Sequence, residues 1–302
     1  MTVTQAAPAS HGHAGPPRTE EASPPQATGE LRTTFGVRDD RTFVSRQYHR
    51  GALTLLRPVY LGDDGEATLT LINPGGGYLG GDRFDLEIEA EPGAAAVVTT
   101  QSATRVYRTP GDPARQHTVL KLAEGSCLTY VPDELIGYAH ARYVQHTRAE
   151  VHPSATLFAK DVITPGWSPD GTRFRYTSIH AVFDVVDPSG RLLVRDNLLL
   201  EPGAFGLFEA DGPMGPGTSH VGSLLVVSPH ADAATVAEVR DVVHGARADS
   251  SVHVGVSALP VPGLIVRALG NSTKAVDRVL AAATDHLRAQ WFARTPLHLR
   301  KY

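Results

Sequence analysis

A chain of 302 residues, 41% of them hydrophobic, holds ample apolar material for one large domain or two modest ones. Its formal net charge of -4 offers no basic footprint for nucleic acid. Cys127 is the single cysteine, which excludes an internal disulfide and points to a reducing compartment, and no apolar run approaches the roughly 18 residues that span a bilayer.

Residues 1–32 are polar, rich in Ala, Pro and Ser, and lack both hydrophobic periodicity and the apolar segment of a secretory signal. They read as a disordered tail on a cytoplasmic protein. The pair His11 and His13, with Gly12 between, can hold a divalent metal weakly, although two incidental histidines in a solvated tail is the simpler reading.

From Thr33 to about Val227 the chain reads as short strands and turns. Ala67 to Ile72 is apolar enough for a strand. It runs into Asn73-Pro74-Gly75-Gly76-Gly77-Tyr78-Leu79-Gly80-Gly81-Asp82, where Gly75, Gly77 and Gly80 match the G-x-G-x-x-G spacing of a dinucleotide-binding turn. That turn needs a helix after it, because the helix N-terminus supplies the amides that hold the pyrophosphate. The next segment is instead Arg83-Phe84-Asp85-Leu86-Glu87-Ile88-Glu89-Ala90, apolar at every even position and charged at every odd one, the period of a half-buried strand. The glycines therefore serve backbone geometry, either positive φ or close approach of another strand. Asp82 reads as a residue that secures the turn.

Further strands are expected over Ala94 to Thr100, Thr118 to Leu122, Cys127 to Val131, Ala155 to Phe158, Phe174 to Val186 and Leu192 to Leu200. Turn signals such as Glu124-Gly125, His152-Pro153, Asp170-Gly171 and Pro188-Ser189-Gly190 separate them. No repeat of fixed period is evident. The histidines here (His117, His140, His146, His152, His180) show no ligand periodicity and read as satisfied or exposed, and Cys127 reads as a small buried hydrophobe. Two helices are predicted, over Ala231 to Ala248 and over Ser272 to Phe292. In the second, Val276, Val279, Leu280, Ala283, Leu287 and Trp291 form one stripe, with Asn271 or Ser272 as N-cap. Strands over Val252 to Ala258 and Gly263 to Leu269 lie between them. The expected fold is mainly β, one strand-rich domain over residues 33–302 closed by two helices.

The glycine run and the segments after it resemble a known family. The pattern N-P-x-G-G-x-x-G-G-D, an alternating strand, and then T-T-x-x-A-[TK]-x-x-Y-R is that of the urease accessory proteins called UreD, or UreH. Here it is carried by Asn73, Pro74, Gly76, Gly80, Gly81 and Asp82, then by Thr99, Thr100, Ala103, Thr104, Tyr107 and Arg108. Leu128 to Ile136 and Leu157 to Asp161 resemble later family segments. Trp167 and Thr172 stand where the family pattern has arginine and glutamate, and Asp133 stands where it has glutamine.

The resemblance implies a β-helix-like body and a non-catalytic role in maturing urease. It implies UreF, the GTPase UreG and the urease apoprotein as partners. It implies no tightly bound cofactor, only nickel in transit through an internal passage. Asp82, Asp161 and Asp196 match acidic family positions and are the residues expected along that path, Asp82 foremost. Thr99 and Thr100 are expected to bond within the sheet. A β-rich hydrolase is the alternative, but the chain has no G-x-S-x-G elbow.

Overall fold

The alternation in Arg83–Ala90 is realised literally: Phe84, Leu86, Ile88 and Ala90 are buried while the charged residues between them are not. In the computed structural model, which describes residues 27–204, 217–247 and 251–299, this strand is one of seventeen. They are β1 (Gly29–Arg38), β2 (Arg41–Gly51), β3 (Thr54–Leu55), β4 (Ala67–Ile72), β5 (Arg83–Ala90), β6 (Ala95–Thr100) and β7 (Thr104–Val106). Then come β8 (Ala114–Leu122), β9 (Cys127–Tyr130), β10 (Leu135–Gly137), β11 (Arg142–Val151), β12 (Thr156–Ile163), β13 (Ser178–Val186) and β14 (Leu192–Leu200). The chain closes with β15 (His220–Val227), α1 (Ala233–Ala246), β16 (His253–Ala258), β17 (Gly263–Gly270) and α2 (Thr273–Phe292).

The strands from β4 to β13 wind a β-solenoid-like coil of about four turns. Each turn gives one strand to each of two sheets, so β4, β6, β9 and β12 stack in parallel in one, and β5, β8, β11 and β13 in the other. Parallel in-register stacking places like positions in ladders, for example Ile88, Leu120, Ala149 and Val185. Successive turns begin at Ala67, Ala95, Cys127 and Thr156; the unequal steps conceal the repeat from a search for a fixed period. A short third wall comes from β7, β10 and the bridge between Tyr78 and Val106.

Antiparallel strands close the coil. The hairpin β1–β2 covers one edge of the sheet holding β5, β8, β11 and β13 (the first sheet) and β14 the other, while β15, β17 and β16 extend the sheet holding β4, β6, β9 and β12 (the second sheet) beyond β12. The helices pack on the outer face of that extension. Val276, Val279, Leu280, Ala283 and Leu287 of α2 and Val236, Val239 and Val243 of α1 form a second core with Phe158, Leu224, Val226, Leu264 and Val266. Ser272 caps α2, its hydroxyl accepting from the Ala275 amide; Asp232 caps α1 through a reciprocal box with Thr235. No helix among the described residues is long and apolar enough to cross a membrane.

Three expectations are corrected. The body begins at Gly29, before residue 33, because β1 pairs with β2 and with β5 and buries Leu31, contacts too remote in sequence to show in a polar-looking segment. The strand expected from Phe174 begins at Ser178; Phe174 has φ +59 and its amide bonds to the Pro165 carbonyl in a turn. The first helix ends at Ala246. Residues 1–26, with His11 and His13, lie outside the described residues, as does Ala248.

Candidate functional site

Inside the coil, the ladders that begin as apolar stacks become polar toward the third wall. Phe84 pairs in register with Gln116, Gln116 with Gln145 and Gln145 with Ala181, so two amides occupy core-facing positions on adjacent strands. Opposite them stand Tyr130 from β9 and Asp161 from β12; Tyr78 enters from the glycine run and Tyr143 from β11.

These groups form one hydrogen-bonded line. The Tyr78 hydroxyl donates to Gln116 Oε1 at 2.7 Å, and the Tyr143 hydroxyl lies 3.3 Å from Oε1 of both Gln116 and Gln145. Gln145 Nε2 donates to Asp161 Oδ2 at 3.1 Å, and Gln116 Nε2 to the Thr118 hydroxyl at 3.2 Å. Burial pushes all three tyrosines above their ordinary range, Tyr130 to about 12, so each is a neutral hydroxyl at physiological pH. Burial also raises the Asp161 carboxyl to about 6, against the lowering effect of its bond from Gln145. Asp161 is half-buried, and it lines internal space.

Two cavities follow this line and share Tyr130, Pro132, Gln145 and Asp161 in their walls. One, of about 30 Å³, runs from Asp161 to Asp196, Lys160 and Arg267 at the closing strands. The other, of about 60 Å³, runs from Asp161 past Gln116 to Tyr78, Gly77 and the segment Thr100–Arg105. A water needs about 10–15 Å³ on this measure, so together they admit a short file of waters. The Thr147 hydroxyl, buried on the wall of the smaller cavity, has no protein partner and is free to bond to its contents.

The expected acidic residues part company here. Asp161 stands at the junction. Asp196 lines the far end, ion-paired with Arg267. Asp82 lines neither cavity: its Oδ2 accepts the Leu79 amide at 2.7 Å and its Oδ1 the Thr28 hydroxyl at 3.1 Å. Both of its oxygens clamp the turn and tie it to the start of β1, the turn-securing role that the residues themselves suggested.

The glycine run leads into β5 and not into a helix, and it brings Tyr78 to the interior. Asn73 Oδ1 accepts the Gly75 amide and its carbonyl the Gly76 amide, and Gly76 and Gly81 take φ of +77 and +82. Gly77 is needed for close approach, since a Cβ there would fall 2.5 Å from the Tyr107 ring and 2.8 Å from the Arg105 carbonyl oxygen. Tyr78 and the segment around Tyr107 then exchange backbone bonds of 2.7 and 2.9 Å. Thr99 bonds within the sheet to the Val131 carbonyl at 2.7 Å, and Thr100 joins Asp133 at the cavity rim.

Gln116, Tyr130, Tyr143, Gln145 and Arg267 carried no signal in sequence. Polar residues on the inner face break the apolar alternation that would have marked β11 as a strand. Trp167 is exposed and packs tilted against Tyr138, ring centres 5.1 Å apart, and Tyr138 packs tilted against Tyr107 at 4.8 Å, one ring from each successive turn. Cys127 is buried as expected, with Arg294 Nη1 3.2 Å from its sulfur.

The fold and site define a class: a helix-capped β-solenoid whose interior holds two adjoining, water-sized cavities along a polar line. The family model described as "UreD urease accessory protein" matches residues 27–301. The urease accessory protein UreD of Arthrobacter sp. (strain FB24) is 44% identical, over 91% of this chain and 94% of its own length. Those of Paenarthrobacter aurescens (strain TC1) and Actinomyces naeslundii are 40% and 42% identical, covering 95% and 91% of this chain and 100% and 99% of their own lengths. The chain belongs to the UreD family of urease accessory proteins.

Proposed function

We propose that this protein is a non-catalytic scaffold of urease maturation in the cytoplasm, and that its interior is the route by which nickel(II) reaches the urease apoprotein. In this reading UreF and the GTPase UreG are its partners, and the metal is cargo. The observation that carries it is the unbroken polar line from Tyr78 through Gln116, Tyr143 and Gln145 to Asp161, with Asp196 beyond.

The chemistry of that line suits transit. Nickel(II) accepts carboxylate and neutral oxygen ligands, and a conduit has to release what it binds. Among the described residues no three His, Cys, Asp or Glu side chains converge into a metal cage. Asp161 supplies one charge midway, with neutral amide and hydroxyl oxygens on the side toward Tyr78. At the other end Arg267 pairs with Asp196, while Lys160 is held by Asp277, so a dication entering at Asp196 must displace an existing ion pair.

The test is coexpression of urease with its accessory proteins, with and without this chain, measuring nickel per urease active site. Reduced loading in its absence supports the role, and equal loading refutes it. The Asp161→Asn chain should lower loading while still copurifying with UreF. Full loading by that variant would remove Asp161 from the route.

A further inference from the structure

The interior is not the only place where this fold aligns metal-binding side chains. In β8 and β11 the inward residues are Gln116, Gln145 and Thr147, so the residues next to them point outward. There His117 and His146 face each other in register across two adjacent parallel strands. Their rings lie 5.7 Å apart, centre to centre, at 60°. His117 is exposed, and the His146 side chain keeps 41% of its surface.

We propose that His117 and His146 form a two-imidazole binding site for a borderline divalent cation, the class that includes nickel(II), copper(II) and zinc(II). A metal about 2.1 Å from each ring nitrogen lies about 3.2 Å from each ring centre, so rings 5.7 Å apart subtend about 120° at the metal. That angle suits two ligands of one ion, with water completing the shell, since no third His, Cys, Asp or Glu converges there among the described residues.

A second feature supports the pair. His146 Nε2 lies 2.9 Å from Asp184 Oδ2, and Asp184 is buried and gripped by Arg195 at 2.7 and 2.8 Å. With its Nε2 proton donated to the carboxylate, His146 has its Nδ1 lone pair free. A ligating histidine with its other nitrogen fixed by a carboxylate is the usual support of a metal centre. Nearby charges are largely matched: Asp85, in register with His117, holds Arg83, and Asp184 holds Arg195. Arg115 shares the outer face and keeps the affinity modest. The site is on the opposite side of the sheet from the internal passage, so it stands or falls independently of the conduit.

The experiment is copper(II) and nickel(II) titration of the full chain carrying His11→Ala and His13→Ala, which removes the tail pair, followed by calorimetry and copper electron paramagnetic resonance. One saturable equivalent with a two-nitrogen signature is expected. His117→Ala, or the milder His117→Gln, and His146→Ala should each abolish that signature. Asp184→Asn should preserve it while weakening binding about tenfold. Titration of the His117→Ala chain indistinguishable from its parent, or a two-nitrogen signal persisting in it, would overturn the site.

Discussion

Asp161→Asn gives a quantitative test of whether the interior carboxylate is held at a cost to stability. Burial raises its folded-state pKa to about 6, against an ordinary value of 3.8. Between those values the folded chain binds more protons than the unfolded one, so the stability contributed at this position falls as pH rises. Two pH units of displacement correspond to about 3 kcal/mol at 1.36 kcal/mol per unit. That is an upper bound, because waters in the cavity solvate the charge. Asparagine is nearly isosteric, and its carbonyl oxygen still accepts the bond that Gln145 Nε2 now makes at 3.1 Å. The variant should therefore be more stable than the parent above pH 7, and the difference should shrink to nothing as pH falls below about 4. Urea denaturation of both chains at several pH values, read by the fluorescence of Trp291 and Trp167, measures it. A difference that is constant with pH, or a variant less stable than the parent at pH 7.5, would refute the reasoning. Retention of a destabilising carboxylate whose removal also lowers nickel loading is the signature of a functional group.

Three other perturbations have defined outcomes. Glu66 is buried between Arg288, at 3.0 and 2.6 Å, and Arg294, at 3.0 Å; Glu66→Gln takes the carboxylate from the buried Arg288, while Arg294 keeps Asp64 at 3.5 Å, and should cost about 3–5 kcal/mol, whereas Arg288→Met leaves Glu66 paired with Arg294 and should cost less in the same urea assay. Asp82→Ala removes the clamp on Leu79 and Thr28; it should cost about 1–2 kcal/mol by differential melting and leave nickel loading of urease intact, in contrast to Asp161→Asn. Burial pushes His220 down to about 4, so its contribution is complete above pH 6.5 and is lost as pH falls toward 4, about 3 kcal/mol in all; His220→Gln should flatten the acid side of the stability profile, and an unchanged profile would count against it.

Much of the chain's local structure was legible. Arg83–Ala90, Ala67–Ile72 and Leu192–Leu200 are strands over the very residues expected, and the α2 stripe from Val276 to Leu287 is the face that packs on the second sheet. In each case burial on one face imposes a period that the residues themselves carry. Arg288 shows the limit: a charged residue one step beyond Leu287 is fully buried because Glu66, far off in sequence, meets it there. Asp82 shows another. The family resemblance made it the foremost metal candidate, while its place beside the glycines lets its carboxylate close the turn.

Sequence by itself determined that the chain is strand-rich with two late helices, that the glycine run is a turn and no phosphate cradle, and, through its motifs, which family it resembles. Only the tertiary structure decided which side chains share the interior. Parallel stacking of unequal turns brings Tyr78, Gln116, Tyr143, Gln145 and Asp161 into one line and sets His117 against His146 on the opposite face. Apart from Tyr143 and Gln145, which share β11, those neighbours sit on different segments 16 to 38 residues apart, and a single strand's pattern tells which face a residue occupies but not which residue lies beside it.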